Sequence, residues 1–270
     1  MPLVQPHSLS AQSKLIALFA SDIHLHASLP KTTEAFCHFL NEQARQAERL
    51  YLLGDLFEYW AGDDDINTNY HARIVQELHA LSTFGTQIFW IAGNRDFLIG
   101  EKFAIETGIH FLPDPSVIDV ANQKIVIAHG DEQCTDDLAY IAFRNMVRQE
   151  KWQQDFLQLP LVQRKKIIEG LRVNSQMEQK EKPSEIMDVN PKAIQQLFTN
   201  NKVELIIHGH THRPARHQCE NGIRYVLPDW DCDLENTKPR GGWLEIYSSG
   251  EIFRRNLDGS INDAFTQEPH

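Results

Sequence analysis

Five short polar motifs, each placed directly after an apolar run, constrain this chain more than any other feature. The motifs are Ser21-Asp22-Ile23-His24, Gly54-Asp55, Gly93-Asn94-Arg95-Asp96, His129-Gly130-Asp131 and His208-Gly209-His210-Thr211-His212. In open α/β sheets, side chains at the carboxyl ends of successive strands meet at one edge. The pattern therefore predicts an α/β protein whose polar site is assembled from five distant parts of the chain.

The apolar runs themselves predict strands. Residues 15–20, 50–53, 88–92 and 125–128 form runs too short for helices, whereas residues 33–47 and 70–81 show helical periodicity. Strands are expected again at residues 203–207, 223–227, 243–247 and 251–255, and the last two flank a predicted hairpin turn. We therefore expect βαβ units with helices covering the sheet.

Residues 137–186 contain almost no β-like run and predict a helical insertion within a domain of residues 14–258. The polar residues 1–13 and 259–270 are expected to be loose. One interpretation gives the insertion its own small core and a solvated basic face formed by residues 164–166 and Arg172. The other makes it a lid, with apolar surface for an oily ligand and basic charge for a phosphate or a membrane surface.

Composition excludes several classes of protein. With 26 Lys and Arg against 37 Asp and Glu, the formal charge of −11 argues against a generic nucleic-acid-binding protein, which normally presents a basic surface. The four cysteines form no CxxC pair, so a zinc finger is not indicated. No apolar run approaches the roughly 20 residues that span a bilayer, and the N-terminal residues do not resemble a secretory signal. We expect a cytoplasmic protein with at most peripheral membrane contact and no obligate protein partner.

The polar motifs carry the donors of a dinuclear metal centre. An extended backbone would place Asp22 and His24 on one side, and Gly54 allows the close approach that a bridging Asp55 needs. The candidate ligands are Asp22, His24, Asp55, Asn94, His129, His208 and His210. Nitrogen and oxygen donors without thiolates suit Mn, Fe or Zn better than Ca or Mg.

Two such ions, about 3.5 to 4 Å apart, would activate water and stabilise charge on a phosphoryl oxygen. Arg95 would bind a phosphate oxygen, and Asp96 is placed to orient a histidine. The acidic run at residues 63–65 lacks the rest of a calcium loop and is interpreted as a solvated turn. The residues alone therefore predict a two-metal phosphoesterase.

These residues, in this order, resemble the calcineurin-like metallophosphoesterases, whose fold is a double-sheet sandwich flanked by helices. Most members of that superfamily carry histidine at the position of Arg95. With arginine there, the chain is similar over about residues 15–230 to the UDP-2,3-diacylglucosamine hydrolase family. The further motifs that carry this similarity are Gly54-Asp55-Leu56-Phe57-Glu58, Asp63-Asp64-Asp65, Cys134-Thr135-Asp136-Asp137 and Ile186-Met187-Asp188-Val189-Asn190.

The resemblance implies that two ions, with Mn²⁺ favoured, support hydrolysis of UDP-2,3-diacylglucosamine to UMP and 2,3-diacylglucosamine 1-phosphate in lipid A synthesis. Water would attack the α-phosphorus, and the enzyme would lie peripherally on the cytoplasmic face of the inner membrane. The resemblance assigns one ion to Asp22, His24, Asp55 and His210, and the other to Asp55, Asn94, His129 and His208.

The same resemblance favours the lid interpretation, because two acyl chains need apolar walls. It makes Asn94 and Arg95 the catalytic residues. The substrate contacts that it implies are Asn94, Arg95, Asp137, Ser175, Gln179, Lys182 and His208. Gln179 stands where the family has asparagine, and the sequence from Leu227 to Arg240 also departs from the family pattern.

Two other functions compete with this one. A nucleotide pyrophosphatase acting on soluble dinucleotides would use the same metal centre, and it predicts equal activity on unacylated substrates. A non-catalytic scaffold that keeps the fold would have lost metal ligands, whereas all seven candidate ligands are present in this chain.

Overall fold

The computed structural model describes residues 13–181 and 188–262, with the side chains of residues 174–181 outside the description. Within these residues the strands are β1 (Leu15–Ala20), β2 (Arg49–Leu52), β3 (Gln87–Ile91), β4 (Ile109–Leu112), β5 (Ser116–Val120), β6 (Gln123–Ala128), β7 (Leu205–His208), β8 (Ala215–Cys219), β9 (Gly222–Val226), β10 (Gly242–Tyr247) and β11 (Ile252–Asn256). The α-helices are α1 (Pro30–His38), α2 (Asn69–Phe84), α3 (Glu101–Thr107), α4 (Leu138–Val147), α5 (Glu150–Leu157), α6 (Leu161–Glu181) and α7 (Pro191–Asn201).

The strands form two sheets, which confirms the predicted double-sheet architecture. The first sheet has the order β11-β10-β1-β2-β3-β4, with β1 to β4 parallel and β10 antiparallel to both of its neighbours. The second has the order β5-β6-β7-β9-β8, with β6, β7 and β9 parallel. The chain therefore brings the ends of β1, β2, β3, β6 and β7, which precede the five polar motifs, to one region.

Both faces of the first sheet are buried. On the face towards the second sheet, Phe19, Tyr51 and Phe89 stack along three adjacent strands, with ring centroids 4.9 and 5.0 Å apart. On the opposite face, Leu18 and Leu50 pack in the cluster that includes helices α1 to α3. Burial on both faces explains why these strands appear in the sequence as uninterrupted apolar runs.

Three strands that the sequence did not predict, β4, β5 and β8, all lie at the edge of a sheet. An edge strand is less shielded from water than an interior strand. Its sequence therefore carries fewer apolar residues, as in Ala215–Cys219. Helices α3 and α7 were also missed. The helix predicted at residues 33–47 continues after α1 as a π-helical turn at Phe39–Gln43 and a 3₁₀ turn at Ala44–Gln46.

The insertion lies between β6 and β7 and contains α4, α5 and α6. Phe156, with Trp152 and Ile168 packed beside it, belongs to the same apolar cluster as Phe57 and Trp60 of the sheet domain. The interpretation of a separate small core is therefore wrong. The bounds 14–258 and 137–186 stay predictions, and most of the termini predicted to be loose lies outside the described residues.

Candidate metal centre and substrate cavity

Four predicted ligands adopt a backbone conformation that the sequence did not indicate. Asp22, His24, Asp55 and His210 have φ values of 53°, 53°, 51° and 68°, in the left-handed region, so the extended conformation expected for Asp22 and His24 is wrong. Such residues cost roughly 1–3 kcal/mol each unless their surroundings hold them. The backbone N–H groups of Asp22 and His24 donate to the carbonyl oxygens of Gly54 and Asp55, at 3.1 and 2.9 Å. These bonds lock the loops after β1 and β2 together.

Gly54 is required at this junction. Its φ is +87°, and the His129 ring and the Gly93 backbone occupy the space that a Cβ atom would need. Any larger residue would push the loop that carries Asp55 away from the loop that carries Asn94.

The Asp22 carboxylate has the character of a cation ligand. It is fully buried, and its Oδ2 accepts hydrogen bonds from Ser21 Oγ at 2.5 Å and His210 N at 2.9 Å. Within the described residues its Oδ1 has no hydrogen-bond partner of normal geometry. Burial opposes ionisation, but the nearby His212 imidazole outweighs burial and holds the pKa of Asp22 well below its usual range. A buried, ionised oxygen without a hydrogen bond fits a metal ligand.

Two imidazoles lie close to Asp22 Oδ1. Nε2 of His212 lies 3.4 Å from Asp22 Oδ1 and 3.1 Å from Nε2 of His24, so the three side chains form a group that fits one cation. His212 was not among the predicted ligands. The sequence feature that could have identified it is its place as the third histidine of the last motif. His24 Nε2 also lies 4.0 Å from Asp55 Oδ2.

A second group forms around Asp55 and His129. Nε2 of His129 lies 3.7 Å from Asp55 Oδ1 and 2.9 Å from Asn94 Oδ1, which is also 3.0 Å from Nδ1 of His210. Asp22, Asp55 and His129 together fit a cation. Burial disfavours the imidazolium form of His129, but the carboxylates around it, led by Asp55, outweigh burial and raise the pKa to about 9.

These contacts join six predicted ligands, whereas the contacts of the His208 ring are with other groups. Nε2 of His208 lies 3.0 Å from the Arg224 guanidinium, and Nδ1 lies 2.9 Å from the carbonyl oxygen of Gly209. Burial and the Arg224 charge lower the pKa of His208 to about 3, so the ring is neutral, as a ligand must be. Its role as a ligand stays a prediction.

The hypothesis that Asp96 orients a histidine is wrong. Its Oδ2 accepts from the backbone N–H groups of Leu56 and Phe57 at 2.7 and 3.4 Å, and its Oδ1 accepts from Gly93 N at 3.0 Å. Burial and the neighbouring Asp55 raise the pKa of Asp96 to about 7. Asp96 therefore fixes the backbone on either side of the centre.

A cavity of about 550 Å³ opens from the metal-ligand residues. Its polar lining includes Asp55, Asn94 and Arg95, and its apolar wall comes from the insertion and from Trp60, Phe97 and Leu98 of the sheet domain. The insertion's part of that wall includes Phe143, Trp152, Phe156, Ile168 and Leu171. The rings of Trp152 and Phe156 stack at 4.9 Å with an interplanar angle of 10°. One continuous space thus has both the metal-ligand residues and an apolar wall in its lining.

Comparison with known proteins agrees with this geometry. The calcineurin-like phosphoesterase family matches residues 17–214. A UDP-2,3-diacylglucosamine hydrolase of Aromatoleum aromaticum is 49% identical over 224 residues, which cover 80% of this chain and 90% of that protein. A protein of the same name from Serratia proteamaculans is 46% identical and covers 85% and 97% of the two chains. This chain belongs to the UDP-2,3-diacylglucosamine hydrolase family.

Among solved structures, vacuolar protein sorting 29 of Cryptosporidium parvum is 12% identical to this family member, with a TM-score of 0.48. The alignment covers 93% of this chain and 95% of that chain. This structural similarity adds nothing to the family assignment.

Of the seven substrate contacts implied for this hydrolase family, three line the cavity, three have no described side chain, and His208 lies beside Arg224. Arg95 lines the cavity, with Nη1 3.8 Å from Glu58 Oε1, and Asp137 lines it too while accepting a hydrogen bond from Tyr140 N at the start of α4. Ser175 and Gln179 lie on α6 in the stretch without described side chains, and Lys182 lies outside the described residues. The contacts remain predictions.

The basic cluster of the insertion does not form a solvated face or a free anion site. Arg164 is 2% exposed, donates to the carbonyl oxygen of Ala61 and pairs with Asp64. Lys165 Nζ lies 2.7 Å from Asp65 Oδ1. Positive charges of α6 thus meet the acidic run after β2, and of residues 164–166 only position 166 is exposed.

The acidic run is correspondingly not a solvated turn. Asp65 is almost fully buried, and Asp63 accepts hydrogen bonds from the backbone N–H groups of Gly100 and Phe103 at 3.0 and 3.1 Å. Asp63 thereby caps α3, while its neighbours hold α6.

The first helix of the insertion is also tied to the metal centre. Asp131, two residues after His129, accepts hydrogen bonds from Tyr140 OH at 2.7 Å and Arg144 Nε at 2.9 Å. Arg148 Nη2 donates to the carbonyl oxygen of Gly93 at 2.8 Å.

Across residues 13–181 and 188–262, no helix is both long and apolar enough to cross a membrane.

Proposed function

We propose that this chain hydrolyses the pyrophosphate bond of UDP-2,3-diacylglucosamine, as the names of its relatives indicate for them. The cavity carries the proposal, because one space of about 550 Å³ joins the metal-ligand residues to an apolar wall. A substrate with a diphosphate at one end and two acyl chains at the other matches both parts of this lining. The products are UMP and 2,3-diacylglucosamine 1-phosphate, and the proposed pathway is lipid A biosynthesis.

Two divalent cations, which we propose to be Mn²⁺, would activate water and neutralise charge on the phosphoryl oxygens. The mixed nitrogen and oxygen donors, and an Asp22 Oδ1 without a hydrogen bond of normal geometry among the described residues, support a cation here. The residues proposed to hold the two ions are Asp22, His24, Asp55, Asn94, His129, His208 and His210.

In the proposed reaction a water oxygen bonds to the α-phosphorus, and the bond from that phosphorus to the bridging oxygen breaks. The bridging oxygen leaves on the sugar phosphate, and the water proton passes to solvent. Asn94 and Arg95 belong to the polar lining of the cavity, where Arg95 presents a planar guanidinium that binds two phosphate oxygens at once. These contacts orient the diphosphate towards the ligand residues.

The insertion would hold the acyl chains and meet the membrane. Its wall residues face the cavity, and Leu138, Val162 and Val173 are exposed by 77%, 66% and 47%. Exposed apolar side chains near a lipid-sized cavity support peripheral contact with the cytoplasmic face of the inner membrane.

A single assay tests the proposal. The metal-stripped full chain is given Mn²⁺ or excess EDTA, with UDP-2,3-diacylglucosamine or the same nucleotide sugar without acyl chains, and UMP release is measured. We expect turnover only with Mn²⁺ and a large preference for the acylated substrate. Turnover in EDTA would contradict the metal chemistry, and equal rates on both substrates would favour a general nucleotide pyrophosphatase.

A further inference from the structure

Glu58 lies where three functional parts of the molecule meet. It follows the Gly54-Asp55 motif by three residues, and its side chain lines the cavity and is largely buried. Its two carboxylate oxygens face different partners. Oε2 lies 3.0 Å from Nδ1 of His24, while Oε1 pairs with Arg172 Nη2 of α6 and lies 3.8 Å from Arg95 Nη1.

The contact with His24 is the kind that prepares a metal ligand. Nε2 of His24 faces Asp22 and His212, so Nδ1 is the nitrogen left for a second partner. Nδ1 is buried and lacks an aligned hydrogen bond within the described residues, and Glu58 is the carboxylate within reach. A carboxylate on the far nitrogen of a ligating histidine fixes the tautomer and orientation of the ring.

The contact with Arg172 joins α6 to the same point. The Arg172 guanidinium also lies over the Tyr59 ring, 5.6 Å from its centroid. Burial opposes ionisation of Glu58, but His24, Arg95 and Arg172 outweigh burial and lower the pKa to about 2. Without this carboxylate, two guanidinium groups and an imidazole would face one another beside the proposed metal centre.

We propose that Glu58 is a positioning residue that orients His24 for its cation and at the same time holds α6 of the insertion over the cavity through Arg172. This inference rests on the proposed metal centre and not on the identity of the substrate. It assigns Glu58 no contact with the reacting atoms. It predicts that metal affinity depends on a residue of the insertion that touches no metal ligand.

The test measures Mn²⁺ binding to the metal-stripped full chain by calorimetry, without substrate. We expect Glu58→Ala to weaken binding by about 10- to 100-fold, the usual effect of removing the partner of a ligating group. Arg172→Met should weaken it by several-fold, because Glu58 loses the cation that holds it. The double variant should bind no more weakly than Glu58→Ala, since both changes act through one contact.

Lys165→Met is the matched control, because it removes another ion pair of α6, with Asp65, that reaches no metal ligand. We expect its Mn²⁺ affinity to equal that of the wild type. If Lys165→Met weakens binding as much as Arg172→Met, loosening of α6 in general explains the effect and the proposal fails. It also fails if Glu58→Ala binds Mn²⁺ normally.

Glu58→Gln covers the case in which the alanine variant does not fold. The amide keeps the side-chain volume but not the charge, so we expect several-fold weaker Mn²⁺ binding, and unchanged binding overturns the proposal. Failure of the substrate assay with these metal-binding results intact would count against the proposed substrate alone.

Discussion

Arg164 of α6 pairs with Asp64, 100 residues earlier in the chain, and together they fasten the insertion to the sheet domain. Arg164 is 2% exposed, and its guanidinium also donates to the carbonyl oxygens of Ala61 and Leu159. An isolated basic cluster in an acidic sequence suggested an anion site. The structure shows that two of its members serve to dock α6.

We expect Arg164→Met to destabilise the folded protein, because the carbonyl oxygens of Ala61 and Leu159 would lose a buried donor. The free energy of unfolding in urea should fall by about 1–3 kcal/mol. Lys166→Met, two positions away and exposed, is the control and should change stability by less than about 0.5 kcal/mol. Equal stability of the two variants would contradict the docking role.

A substitution at Leu171 tests whether the apolar wall of the cavity binds an acyl chain. Leu171 lines the cavity although 39% exposed, so Leu171→Gln should fold normally and still disturb an acyl chain. We expect KM for the diacylated substrate to rise about 10-fold, the cost of about 1.4 kcal/mol of lost apolar contact. Ile167→Gln, on the same helix and 42% exposed but not lining the cavity, should leave KM unchanged. A rise with both variants would point to a general effect on α6.

Substitutions at Arg95 test whether its guanidinium binds the phosphate of the substrate. Arg95→Ala should lower kcat by about 10²- to 10³-fold, because a positioned charge on the phosphate is lost. Metal content, measured by elemental analysis, should stay at the wild-type level. Arg95→Lys should recover only part of the rate, since lysine lacks the planar fork. Loss of metal from Arg95→Ala would make the residue structural.

His210 and His212 give different expectations for the ligand set. The resemblance assigns His210 to the ion of Asp22 and His24, whereas in the structure His212 Nε2 lies beside both of them. If this geometry persists with metal bound, His212→Ala should weaken Mn²⁺ binding by about 10-fold or more. Normal metal binding by His212→Ala, with loss in His210→Ala, would restore the assignment from the motif.

The pKa of His129, raised to about 9 mainly because the surrounding carboxylates outweigh burial, predicts how metal affinity varies with pH. Below that pKa the metal-free ring carries a proton that must leave before it binds a cation. Apparent Mn²⁺ affinity should therefore increase by about tenfold per pH unit between pH 6 and 8. Calorimetry in buffers of different ionisation enthalpy should detect the released proton, and a pH-independent affinity would contradict the shift.

The sequence by itself determined the interior of the fold and the composition of the site. Strands such as β1 and β7 are apolar because they are buried, whichever parts of the chain pack against them. The polar motifs follow those strands directly, so the carboxyl-end position of Asp55 or His129 is a local property of the chain. The donor types that meet at this edge, and with them the proposed metal chemistry, could therefore be read from the sequence.

The tertiary structure decided what depends on contacts between distant residues. The left-handed backbone at Asp22 is held by a bond to Gly54, and the pairing of Arg164 with Asp64 spans 100 residues. The direction in which His208 or His212 points depends on the side chains packed around it. Local sequence records propensity and burial, but it carries no signal for which opposite charges or which ring nitrogens will meet.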